Sequence, residues 1–275
     1  MTAWVEIGVF CAKAGIILFA VLAVIIVVAN LIFKMRGLKG EIEVEDLSKK
    51  IQDYEDYLNF HHQDPKFAKK EHKKKMKARK KELKEHHDKP VLYVVDFEGD
   101  IRATQVDNLR EKVTAILTAV RPERDEVMVR VESPGGMVHT YGLAAAQLAR
   151  FRERKIRLTI SVDKVAASGG YMMACTGDEI IAAPFAIVGS IGVVAQVPNL
   201  NRLLKKHNVD YEEITAGQYK RTISLFGEIT EKGREKFMEQ IEDTHSLFKG
   251  FVSKFRPHID LSKVATGEHW YAEEA

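Results

Sequence analysis

Residues 161–176 read SVDKVAASGGYMMACT. The stretch Ile156–Val162 that runs into them is an apolar, β-branched segment with the character of a strand. It passes through a charged turn, Asp163-Lys164, into small residues, then Ser168, then Gly169-Gly170 and a short apolar run that reads as helix. Strand, tight turn and helix in this order form part of a parallel βαβ unit. Ser168 stands at the turn. An alcohol becomes a usable nucleophile only beside a base that takes its proton and near donors that stabilise the oxyanion it creates. The small neighbours Ala166, Ala167, Gly169 and Gly170 leave room for a carbonyl, and N–H groups at a helix start point at developing negative charge. A Ser-Gly-Gly triplet alone is equally the mark of a small-residue turn that packs one element on another, so the rest of the chain has to decide.

Working outward, the same pattern repeats. Val91–Phe97 (VLYVVDF) is a buried strand, and Val106, Leu109, Val113, Ile116, Leu117 and Val120 mark an amphipathic helix. Glu126–Val131 is the next strand. It ends in Ser133-Pro134-Gly135-Gly136, and a helix from about Met137 to Arg152 follows. In such α/β folds, sites gather where strand C-termini meet helix N-termini. Both glycine turns, Gly135-Gly136 and Gly169-Gly170, fall at that edge and face one pocket in this reading.

Beyond the serine, residues 180–199 carry no charge. Pro184, Gly189, Ser190 and Gly192 interrupt them, so they are expected to form two buried strands joined by a turn and not a membrane span. Val209–Thr215 reads as a further strand leading into Ala216-Gly217-Gln218-Tyr219-Lys220-Arg221, and a helix is expected from about Thr230 to Phe255. The final residues 266–275, TGEHWYAEEA, show no closing strand or cap, so the domain 91–275 is expected to be truncated at its C-terminal end.

The N-terminal part is of another kind. Residues 14–33 (AGIILFAVLAVIIVVANLIF) contain no charge over a length that crosses a bilayer core as one helix, so residues 1–40 are expected to be an uncleaved membrane anchor. Lys34, Arg36 and Lys39 follow it, and the positive-inside rule places the body in the cytoplasm. Residues 41–90 form a charged, partly helical linker. Leu47, Ile51, Tyr54 and Leu58 make a helical stripe within it, and residues 66–84 hold eleven Lys or Arg in nineteen positions. That run suits an anionic lipid surface or a solvated spacer. With only Phe67 available to stack on a base, nucleic acid is not expected. Overall, 275 residues with 45% apolar and 29% charged content and a net charge of +3 bury a sizeable core and exclude a disordered chain. Two cysteines, Cys11 and Cys175, supply no disulfide framework, and His86-His87 lacks the spacing of a metal site.

Three motifs in order then carry a resemblance: Glu132-Ser133-Pro134-Gly135-Gly136, Asp163-Lys164-Val165-Ala166-Ala167-Ser168-Gly169-Gly170-Tyr171 and Ala216-Gly217-Gln218-Tyr219-Lys220, with Val188-Gly189-Ser190-Ile191-Gly192-Val193 between the last two. With the N-terminal apolar run and basic spacer, this resembles the signal peptide peptidase (SppA/SohB) family of membrane-anchored serine peptidases. The resemblance implies a crotonase/Clp-like α/β fold of repeated ββα or βαβ units and a Ser-Lys dyad without metal or cofactor. Ser168 would be the nucleophile, Lys220 the general base and Ser190 the residue that bonds the base. Oxyanion donors would come from Gly169 and from Gly135 or Gly136. Peptide or membrane-protein substrates such as remnant signal peptides, lipid contact, a homo-oligomer and residence in the bacterial cytoplasmic membrane are implied as well. The family's action on the outer face of that membrane conflicts with the charge rule, and the side stays open.

The residues alone do not choose the base, since Lys164, Lys205, Lys206 and Lys220 are all within a serine's possible reach. A Clp-like Ser-His-Asp triad would draw on His139, His207, His245 or His269. A non-catalytic membrane scaffold with a degenerate site is the remaining alternative.

Overall fold

The computed structural model describes residues 18, 21–22, 42–62, 67, 69–70, 72–78 and 89–275. The anchor expected over residues 14–33 lies outside them apart from residues 18, 21 and 22, and no helix among the described residues is long and apolar enough to cross a membrane. The chain divides into two compact units, Met1–Glu85 and His86–Ala275.

In the first unit, α1 (Leu47–His62) carries the expected stripe, but Leu47, Ile51, Tyr54 and Leu58 are all exposed. Asp46 caps the helix by accepting the Lys49 N–H at 2.9 Å. An ion pair, Lys75–Glu55 at 2.9 Å, and a hydrogen bond between His72 Nδ1 and the Asp56 carboxylate at 3.0 Å tie α1 to the helical residues 72–78 of the basic stretch. Exposed pairs of this kind contribute at most about 1 kcal/mol each.

The second unit is an α/β body. β1 (Leu92–Glu98), β2 (Glu126–Glu132), β3 (Arg157–Val162) and β5 (Glu179–Ala182) form a parallel sheet in the order β1-β2-β3-β5. Crossovers are made by α2 (Val106–Ala119) and α3 (Val138–Glu153). α2 buries Val106, Leu109 and Val113, and α3 buries Tyr141, Ala144, Ala145, Leu148 and Phe151, both at helical spacing. On β2 the buried residues alternate (Val127, Val129, Val131), whereas Leu158, Thr159 and Ile160 of β3 are buried consecutively, as befits a strand covered on both faces. The turn into β2 is held by Asp125, 2% exposed, whose carboxylate accepts the N–H groups of Val91 and Arg121 and the Arg121 guanidinium at 2.7–2.9 Å.

A second, smaller sheet carries β4 (Val165–Ala167), β6 (Ile187–Gly189) and β7 (His269–Tyr271) in the order β4-β6-β7. β4 and β6 are parallel and β7 runs antiparallel to β6. Ser133, just past β2, bridges Ala166 and so joins the two sheets where their chains turn. The helices α4 (Gly169–Ala174), α5 (Asn201–Lys206), α6 (Glu231–Phe255) and α7 (Leu261–Val264) complete the unit.

Residues 180–199 supply two strands joined by a turn, as expected; β5 joins the large sheet and β6 the small one, with Pro184 in the turn between them. Two expectations are corrected. Val209–Thr215 forms no strand. These residues are exposed and lack a neighbouring strand to complete their hydrogen bonds, and the regular element nearby is α5. The C-terminal residues do contain a strand, β7: Trp270 pairs with Val188, Ser190 N–H donates to Glu268 C=O at 2.7 Å, and Ala272 N–H donates to Ala186 C=O at 2.8 Å. Three residues are too few to show a periodicity, so only the pairing partner reveals the strand.

Candidate active site

Ser168 closes β4 and opens α4 in a conformation, φ 51° and ψ −117°, that a side-chain-bearing residue adopts only under constraint. The constraint is visible. Its N–H donates to Gly189 C=O at 2.8 Å, extending the β4–β6 pairing by one residue, and its C=O accepts the Met172 N–H at 2.9 Å as the first helical bond of α4. Caught between a strand and a helix, the side chain stands half-exposed at the junction. Its oxygen makes no hydrogen bond to any described histidine or lysine.

Ser190 stands beside it. Ala167 pairs with Gly189, so Ser168 and Ser190 are the next residues of two parallel strands, and both adopt positive φ, 51° and 53°. The small sheet thus sets the two serines at neighbouring register positions.

The two glycine turns also converge. A methyl group at Gly135 would lie 2.7 Å from Gly169 N and 2.8 Å from Ser168 Cβ, and Gly135 has φ +93°, so only glycine serves there. Its N–H is turned inward and donates to Ser133 Oγ at 3.1 Å. The N–H groups of Gly136 and Gly169, by contrast, have no acceptor among the described residues. Gly136 lies against the Ile101 backbone, where Met137 N–H donates to Ile101 C=O at 2.8 Å. Gly169 lies on the ring of Tyr141, which a methyl there would meet at 2.4 Å from Cγ. The two donors without an acceptor thus lie in the two glycine turns that meet at Ser168, and both glycines are also demanded by packing.

Lys220 is placed differently. It belongs to residues 207–230, where no helix or strand forms, and it is exposed, its backbone closing a turn on Gly217 C=O at 3.1 Å. The apolar residues 188–194, which the sequence offers as walls for a buried lysine, do not enclose it within the single chain. Lys164, the other lysine next to the serine motif, is committed to Glu132 by bonds of 2.8 and 3.1 Å. His139, His207 and His269 are exposed, and the ring of the half-buried His245 bonds Ile191 C=O through Nε2 at 3.1 Å. Cys175, at the far end of α4 from the serine, is fully buried, and desolvation pushes its thiol up to about 12, so it stays protonated and inert as a nucleophile. No group of side chains among the described residues is arranged to hold a metal ion.

Sequence reasoning missed the support of this site. Tyr141 is buried, its hydroxyl donates to Asp100 C=O at 2.7 Å and it lies 2.5 Å from Ser133 Oγ. Its only signal was membership of the apolar stripe of α3. Trp270 was missed too: its ring occupies the space above Gly189, where a methyl would approach it to 2.7 Å.

Comparison with known proteins bears on this arrangement. The family model described as peptidase family S49 N-terminal matches residues 3–148, and that described as peptidase family S49 matches residues 150–275. The chain is 48% identical to the probable protease SohB of Haemophilus influenzae over 98% of this chain and 79% of that protein. It is 58% identical to the probable protease SohB of Buchnera aphidicola subsp. Schlechtendalia chinensis over 68% of this chain and 61% of the relative. For its counterpart from Buchnera aphidicola subsp. Acyrthosiphon pisum the figures are 55%, 69% and 56%. The chain thus spans between about half and four fifths of the length of these relatives.

Proposed function

Since the chain belongs to peptidase family S49, the SppA/SohB family, we propose that it is a membrane-anchored serine endopeptidase that opens peptide bonds by attack of Ser168. The observation that carries this reading is the constrained Ser168 turn flanked by two unpaired backbone donors, Gly136 and Gly169. In the proposed reaction the Ser168 hydroxyl adds to the scissile carbonyl and its proton passes to the Lys220 amine. The carbonyl oxygen, now an anion, is received by the N–H groups of Gly136 and Gly169. Collapse expels the amine half of the substrate, which takes the proton, and water then hydrolyses the acyl-serine. Ser190, beside Ser168 in the small sheet, orients the lysine amine. The parallel four-stranded sheet with a small sheet at the site edge supports the crotonase/Clp-like form of the fold.

Because Lys220 is exposed in the single chain, the dyad reading requires that the segment around it be covered. Ile214 and Tyr219 are exposed apolar side chains near it in sequence, which supports a homo-oligomer in which neighbouring chains cover one another's segments. The apolar residues 14–33 support an anchor in the bacterial cytoplasmic membrane, and membrane-associated or apolar peptides, remnant signal peptides among them, are the substrates that such an anchor favours. No metal or cofactor takes part in this scheme.

Labelling of detergent-solubilised full-length protein with a fluorophosphonate tests the reading. Covalent modification at Ser168, lost in Ser168→Ala, is the expected outcome. An unlabelled but folded wild type would point to the scaffold alternative.

A further inference from the structure

Gly135 N–H, Ser133 Oγ, Tyr141 Oη and Asp100 C=O form one continuous chain of hydrogen bonds at 3.1, 2.5 and 2.7 Å, the first two of them buried. Its direction follows from proton counting. A carbonyl only accepts, so the single Tyr141 proton goes to Asp100. Ser133 must then donate its own proton to Tyr141 Oη, and that leaves the Ser133 lone pairs for the Gly135 N–H. Each hydroxyl gives one bond and takes one, and no alternative orientation keeps all three bonds. Ser133 and Tyr141 are both 0% exposed, and Gly99 leaves the space that the two hydroxyls fill, since a methyl there would meet both at 2.4 Å. Burial holds the Tyr141 hydroxyl protonated by raising its ionisation above the ordinary phenol value.

The same side chain has a second point of contact. The Tyr141 ring lies directly under Gly169, the first residue of α4. Tyr141 therefore touches the support of both free donors: its ring bears on Gly169, and its hydroxyl, through Ser133, holds the Gly135-Gly136 turn. We propose that Tyr141 is a positioning residue that sets the separation of the Gly136 and Gly169 donors across the Ser168 hydroxyl, with Ser133 as its intermediary. This rests on the serine peptidase reading. An oxyanion is stabilised by donors fixed before it forms, and misplacement by a fraction of an ångström is felt in the rate.

The two halves of this role separate by mutation. Tyr141→Phe keeps the ring beneath Gly169 and deletes the hydroxyl, and Ser133→Ala deletes the intermediary alone. In the full-length protein we expect each to lower kcat for a fluorogenic peptide by about 10-fold to 100-fold with KM changed less than about twofold. The Tyr141→Phe/Ser133→Ala double variant is expected to be no slower than the slower single, since both cut one chain. A side chain that only filled the core would lower melting temperature without this split and without the coupling. Wild-type kcat in either folded single variant, or losses that multiply in the double, overturns the inference, and Ser133→Ala alone suffices if Tyr141→Phe does not fold. Failure of the peptidase reading is distinguishable, because the wild type itself would then escape fluorophosphonate labelling and show no turnover.

Discussion

The Ser168 N–H donates to the Gly189 carbonyl at 2.8 Å, and both residues hold positive φ, 51° and 92°. The nucleophile candidate is thus the last rung of a parallel ladder and the first carbonyl of the helix that follows, and the two together hold it in its strained backbone. A residue bearing a side chain in such a region costs on the order of 1–3 kcal/mol, an expense that β4, β6 and α4 together have to offset.

Relief of that strain is measurable. Ser168→Gly is expected to raise the unfolding free energy by about 1 kcal/mol and to abolish turnover, while Ser168→Ala abolishes turnover at nearly unchanged stability. Urea melts of the two variants check this. A Ser168→Gly protein less stable than Ser168→Ala would show that the backbone is not strained.

Gly189 is crowded as well as left-handed, with Trp270 closing on it from β7. Gly189→Ala should therefore destabilise by more than the 1–2 kcal/mol that φ alone costs. In a Trp270→Ala background the added cost should fall back to about that value, since the clash is gone. Equal costs in both backgrounds would separate Trp270 from the small sheet.

Asp125 provides the pH prediction. Hydrogen bonds from the Arg121 side chain, aided by the Arg121 and Val91 N–H groups, hold its carboxyl well below the usual carboxylate range despite burial. The folded value thus lies under the unfolded one of about 4, so the stabilisation is fully present above that pH and is lost as pH falls below it. Stability should begin to decline at about pH 5 and keep falling through the acid range below pH 4. Asp125→Asn should cost on the order of 3 kcal/mol at neutral pH and flatten that decline. An unaltered acid limb in the variant would assign it to other carboxylates. Arg121 is partly exposed, which keeps the estimate below that of a fully buried pair.

Lys220 gives a test in which folding and function separate cleanly. As an exposed side chain, its replacement by Arg or Ala should change stability by less than about 0.5 kcal/mol. Both variants should nevertheless lose turnover, because a guanidinium does not deprotonate in the working range and alanine has no base. If Lys220→Arg is folded and near-normal in rate, the base is another group, and substitution of His245 and His139 is the next measurement.

The sequence by itself determined the α/β class, the order of strands and helices from Val91 to Val162, and the family. Those rest on local periodicity, on glycines that only certain turns require, and on motifs long enough to be specific. It also singled out Ser168, because small residues crowd its turn, and Ser190 through the family resemblance. What it left open needed partners in space. β7 is three residues long, and it is a strand only because β6 lies beside it. Gly135 and Gly136 are indistinguishable as letters. The Ser133 hydroxyl occupies one N–H and leaves the other free, so the two differ only in the folded chain. Tyr141 looked like any apolar residue on a helix face until its hydroxyl met Ser133 and its ring met Gly169. Lys220, expected in an apolar wall, stands exposed because burying a long cation requires surfaces from elsewhere, and local sequence carries no record of which surface comes to meet it.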